Sequence, residues 1–187
     1  MKSHWRRICA ALVLLAGSGA LAGCTGTTVV PNVAHQDAVK SYSTVAVGDI
    51  TVSDELWHNY AIEIHRALAA ELTESKSFSH VQDSAPPPLA ADALVIFGHI
   101  TEVDKGSAAA RWIVGFGAGR AHMTAEFELK DGGGNRIGTY SVRKTYAGGA
   151  GIGGAGFLDM DDLAEKLGKA AGESLANWVK TGKFEER

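Results

Sequence analysis

The chain has 187 residues, of which 23 are Gly, 4 Pro and 2 Cys, with 45% apolar residues, 21% charged residues and a formal net charge of −3. These proportions exclude a collagen-like, coiled-coil, disulfide-stapled or disordered chain and fit one globular domain. Of the 23 glycines, 13 fall between Gly115 and Gly156, so the glycine excess belongs to particular segments.

The first segment reads as an address. Lys2, Arg6 and Arg7 precede an apolar run over residues 8–15 and a mostly small stretch over residues 16–22, the layout of a secretory leader. The run is too short to span a bilayer, which takes about 20 apolar residues. It ends in Leu21-Ala22-Gly23-Cys24, which resembles the lipobox of bacterial lipoproteins. The resemblance implies cleavage before Cys24, a diacylglycerol on its sulfur and an acyl group on its new amino group. A plain leader with an incidental cysteine is the alternative. By resemblance to lipoprotein sorting in Gram-negative envelopes, Thr25 in place of Asp implies an outer-membrane protein facing the periplasm.

Cys9 is lost with such a leader, leaving no free thiol, disulfide or thiolate metal ligand. Losing the three leader cations leaves 15 basic residues against 21 acidic. With no basic run, no nucleic-acid partner is expected. The expected organisation is a leader over residues 1–23, a lipidated N-terminus and tether over 24–42, and a periplasmic domain over 43–187. Residues 25–40 read as the tether because they are small and polar, contain Pro31 and show no periodicity.

Residues 43–52, with Val45, Val47 and Ile50 among small and polar neighbours, predict a strand. Ser53-Asp54-Glu55 supplies a helix cap and an acidic first turn, and Trp57, Tyr60, Ala61, Ile64, Leu68 and Leu72 then recur at helical spacing up to about Ser75. Residues 78–81 suggest a short strand, and Pro86-Pro87-Pro88 breaks regular structure. Residues 92–103 open apolar on both faces, as a central strand does. Residues 120–130 alternate strictly, Ala121, Met123, Ala125, Phe127 and Leu129 against His122, Thr124, Glu126 and Glu128, and predict a half-buried antiparallel strand. Asp131-Gly132-Gly133-Gly134-Asn135 reads as a hairpin loop and residues 137–146 as its return strand. Asp159 caps a last helix whose buried stripe is Met160, Leu163, Leu167, Ala171, Leu175 and Trp178, with Gly182 at its end. The expected fold is α+β, a two-layer sandwich of a mainly antiparallel sheet of about four to five strands and two amphipathic helices.

Three stretches together resemble a family of bacterial lipoproteins, the domain of unknown function 4410. They are Ala93-Leu94-Val95-Ile96-Phe97-Gly98-His99-Ile100-Thr101-Glu102, then Arg111-Trp112-Ile113-Val114-Gly115-Phe116-Gly117-Ala118-Gly119, then the alternating strand ending in Asp131-Gly132. The likeness spans roughly residues 43–178. It implies an envelope location and a fold but no activity. A looser likeness in element order reaches the periplasmic domains of the curli secretion channel subunit and of lipoprotein activators of peptidoglycan synthases. That is an analogy of fold, which does not fix function.

Two glycine-rich segments, residues 108–119 and 147–157, admit three readings. They serve tight turns and close packing, or an interaction surface, or a phosphate cradle. The last is disfavoured because Gly115-Phe116-Gly117-Ala118-Gly119 precedes a strand and no Lys-Ser/Thr follows. For the second, Arg111, Trp112, Ile113, Val114, Phe116 and Arg120 are the candidate interaction residues. His58 and His65, seven apart, can share a helix face, and His99 and His122 can meet across neighbouring strands. A solvent-facing strand histidine is the simpler account of His99 and His122. No His-Glu-x-x-His, Gly-x-Ser-x-Gly or thiol nucleophile is present in the mature chain.

The expectation is therefore a lipid-anchored cell-envelope protein with a non-catalytic binding or scaffolding domain, in envelope assembly, secretion or stress response. Its expected partners are the membrane, through Cys24, and an envelope protein or a second copy. No metal and no cofactor beyond the Cys24 lipids is expected. The alternative is a periplasmic hydrolase or small-ligand-binding lipoprotein using His99, His122 and nearby carboxylates.

Overall fold

The computed structural model describes residues 26–33, 42–85, 89–90, 92–106, 120–146 and 159–184. Six strands and two long helices follow in the order β1 (Gly26–Val33), β2 (Thr44–Val52), a 3-10 turn (Glu55–Trp57), α1 (His58–Ser75), β3 (His80–Gln82), β4 (Ala93–Asp104), β5 (His122–Asp131), β6 (Arg136–Thr145) and α2 (Met160–Thr181). They form one sheet of order β1-β6-β5-β4-β2-β3, with both helices on one face.

The α+β class stands, and two details of the expectation change. The sheet has six strands and is mixed, because β2 pairs in parallel with both β3 and β4. The reason is α1, which packs on β2 and β3 and carries the chain back to start a parallel neighbour. The sixth strand comes from the expected tether. Residues 26–33 pair antiparallel with β6 over eight positions, from Gly26 opposite Thr145 to Val33 opposite Gly138, and Val29 is 2% exposed. Thr27, Thr28, Val29, Val30 and Val33 favour extended backbone, and the pairing requires that Pro31 need no ladder donor.

The hydrogen bonds supply that condition. The Tyr146 N–H donates to the Ala121 carbonyl at 2.8 Å, extending the β5–β6 register by one pair. Even-numbered β6 residues therefore bond β5 and odd-numbered ones bond β1. In β1 the even-numbered residues then bond β6, and Thr27, Val29, Pro31 and Val33 turn their backbone groups to the outer edge.

The expected periodicities hold. Met123, Ala125, Phe127 and Leu129 are fully buried under the helices, as are Ile64, Leu68 and Leu72 of α1 and Leu163, Leu167, Ala171, Leu175 and Trp178 of α2. Each large apolar side chain removed from water contributes roughly 1.5–3 kcal/mol. Asp54 caps the 3-10 turn, accepting from the Leu56 N–H at 3.0 Å, so α1 itself begins at His58. Asp159 caps α2 through the Asp161 and Asp162 N–H groups, and Gly182 ends it at φ 74°. The helices meet closely where α2 has no side chain: a Cβ on Gly168 would lie 2.4 Å from the Ile64 carbonyl oxygen. Ala46 and Val95, on the face away from the helices, are buried as well, in keeping with the two-sided apolar start of β4.

Candidate functional site

Cys24 and the expected interaction residues Arg111, Trp112, Ile113, Val114 and Phe116 lie outside the described residues. Arg120, two residues before β5, is described and exposed. Its position is informative. Gly26 opposes Thr145, Thr145 opposes His122, and His122 opposes Asp104, so one end row of the sheet crosses four strands. β1 begins, β4 ends, β5 begins and β6 ends in this row, which roots both glycine-rich stretches at one end of the sheet.

This end carries a polar cluster. His122 is 8% exposed; its Nε2 lies 2.9 Å from Glu102 Oε1, off the line of a straight hydrogen bond, and its Nδ1 lies 3.3 Å from the Arg120 carbonyl oxygen. Both ring nitrogens thus face acceptors. Arg143 Nη1 donates to Glu102 Oε2 at 3.2 Å, and Thr124 Oγ1 donates to the same oxygen at 3.3 Å. The close approach of His122, with the charge of Arg143 beside it, holds the Glu102 carboxyl below its usual range against a smaller opposing effect of burial. A shift in register between Ile100 and Glu102 turns both Glu102 and Asp104 toward His122.

His99 and His122 do not meet. His99 opposes Glu126, four positions along β5 from His122. It sits on the open sheet face, with Thr51 Oγ1 at 2.8 Å from Nδ1 and Ser53 Oγ at 3.0 Å from Nε2, both nitrogens engaged by hydroxyls of β2 and its exit. It lines a shallow groove of about 470 Å³ with Asp49, Phe97, Glu126, Lys130 and Arg136. The Phe97 ring lies over Gly48, where a Cβ would come within 2.5 Å of it, and Lys130 Nζ stands 5.0 Å above the ring centre. Glu126 and Glu128 belong to this exposed strand face, and Glu128 pairs with Lys130 at 3.0 Å and Arg136 at 3.4 Å.

His58 and His65 do share a face, and both line a second groove of about 1020 Å³ between α1 and the β3 edge. Its apolar floor includes Ile62, which is 51% exposed, and His65 Nδ1 stands 3.5 Å from Asp83 Oδ1. Helix spacing points to His58 and His65, while the groove itself arises from the packing of α1 beside β2 and β3. Among the described residues no three His, Cys, Asp or Glu side chains converge as a metal-ligating group, and no helix is long and apolar enough to cross a membrane.

Two solved structures resemble this chain. A point-mutant PelC dodecamer from Paraburkholderia phytofirmans superposes with a TM-score of 0.51 at 16% identity, covering 78% of this chain and 93% of that one. A PelC dodecamer from the same organism in another crystal form gives 0.50 at 15% identity, covering 79% and 94%. At such identities the likeness concerns the fold. No curated protein sequence matches the chain. The family model described as Domain of unknown function (DUF4410) matches residues 52–150, more than half of the chain, from the end of β2 through the β5–β6 hairpin. The chain therefore belongs to the DUF4410 family.

Proposed function

We propose that this protein is a lipid-anchored component of the cell envelope whose domain is a non-catalytic scaffold that associates with copies of itself. The observation that carries the reading is the conjunction of Leu21-Ala22-Gly23-Cys24 at the end of a leader-like segment with a fold whose solved neighbours are dodecamers. The domain's own chemistry agrees: the buried His122 is spent on Glu102 and His99 on two hydroxyls, an arrangement that rigidifies a sheet surface. The outer-membrane, periplasm-facing location is proposed from Thr25.

Metabolic labelling with palmitate and native mass measurement of detergent-extracted protein test the two halves. Label in the wild type that is lost in Cys24→Ser, with a native mass of several copies, is the expected result. Label retained without Cys24 overturns the anchor. A single-copy mass, with no envelope protein crosslinked in vivo, overturns the scaffold.

A further inference from the structure

We infer that the corner of the sheet at Gly26 is seated at the lipid headgroup surface, so that the domain stands on the bilayer instead of hanging from a tether. The inference rests on the lipid-anchor half of the proposed function. Only Thr25 separates Cys24 from β1, and two residue steps span at most roughly 7 Å. The headgroup layer of one leaflet is itself about 5–8 Å thick. An acylated Cys24 therefore holds Gly26 within or against that layer.

β1 transmits this constraint to the whole domain. Its eight paired positions and the burial of Val29 make it part of the sheet, and Lys144 Nζ donates to Thr27 Oγ1 beside the anchor point. A chain that begins its ladder two residues after the anchor has no slack with which to lift away. The membrane-facing corner then consists of Gly26, Thr28 and Thr145, with His122 and Asp104 further along the same row. The opposite corner is at His80, where β3 begins beside Thr44. About ten residues along the strands and five strand spacings across place that corner roughly 40 Å away.

The test uses the full chain, purified from membranes and reconstituted in phosphatidylethanolamine–phosphatidylglycerol vesicles containing a headgroup-nitroxide lipid. On a Cys9→Ser background, a fluorophore is placed on Thr28→Cys or on His80→Cys, both positions being exposed. Loss of most of the fluorescence at position 28, with none at position 80, is expected. A Gly/Ser insertion between Thr25 and Gly26 should abolish the loss at 28 while the protein still floats with the vesicles. Equal quenching at 28 and 80 in floating protein overturns the seated corner and leaves the anchor standing. Protein that does not float with the vesicles overturns both.

Discussion

Pro31 has a consequence that can be measured. Its nitrogen faces the outer edge of β1, where Thr27, Val29 and Val33 present N–H groups and Pro31 presents only a carbonyl. None of the eight residues of β1 is charged, and Val30 is 56% exposed. The proline is therefore the main guard against pairing of this edge with another strand. Pro31→Val restores one outward donor per copy. In a symmetric antiparallel pair of β1 edges two hydrogen bonds are gained, each worth about 1 kcal/mol net. The sum, about 2 kcal/mol, raises the association constant about thirtyfold. Stability of the single copy should barely change, because no bond within the chain involves that nitrogen; the lost stiffness of proline, roughly 0.4–1 kcal/mol, is offset by the strand preference of valine. Sedimentation velocity on the Cys24→Ser chain reads the first effect and urea unfolding the second. Unchanged association, or a large gain in single-copy stability, would refute the assignment of Pro31 to the outer edge.

Three further outcomes follow from the packing and charge. Gly168→Ala should destabilise the domain by about 1–2 kcal/mol in urea unfolding, since overpacking against the Ile64 carbonyl at 2.4 Å outweighs the better helix propensity; Gly172→Ala, which meets Glu71 side-chain carbons at 2.8 and 2.9 Å, should cost less. Asp159→Ala removes the acceptor of two N–H groups at the start of α2 and should cost about 1 kcal/mol by the same assay. Glu102, held low by His122, contributes stability that is present above the ordinary glutamate range and lost as pH falls through its lowered folded value. The Tm difference between wild type and Glu102→Gln should therefore be present at neutral pH and close on the acid side; a difference that persists at low pH refutes the pairing.

The parts legible in the sequence were those fixed by local periodicity and capping. The alternation from Met123 to Leu129 and the α1 and α2 stripes repeat over enough residues to declare which side is buried, and Asp159 and Gly182 mark where α2 begins and ends. β1 was not legible because, among its residues of described burial, only Val29 is buried, and a proline interrupts it. Its place depends on the ladder that β6 offers more than a hundred residues later. The parallel pairing of β2 with β4 is likewise a matter of topology, which strand composition does not encode. Of the polar sites, sharing of one face by His58 and His65 followed from helix spacing. The separation of His99 from His122 depended on register, and that shifts by bulges between Val47 and Ile50 and between Ile100 and Glu102.

The pairing of Gly26 with Thr145 also sets a schedule for folding. The two residues are 119 positions apart in the chain, so loop closure on this scale is among the slow steps of assembly. A polypeptide made from its N-terminus at about 5–20 residues per second exposes the residues of β1 for roughly 6–24 s before their partner exists. Through that interval the strand's uncharged edge is open on both sides, and the proline is the only local feature discouraging a wrong partner. β1 is thus made more than a hundred residues before the strand it pairs with, and it is sealed into the sheet late.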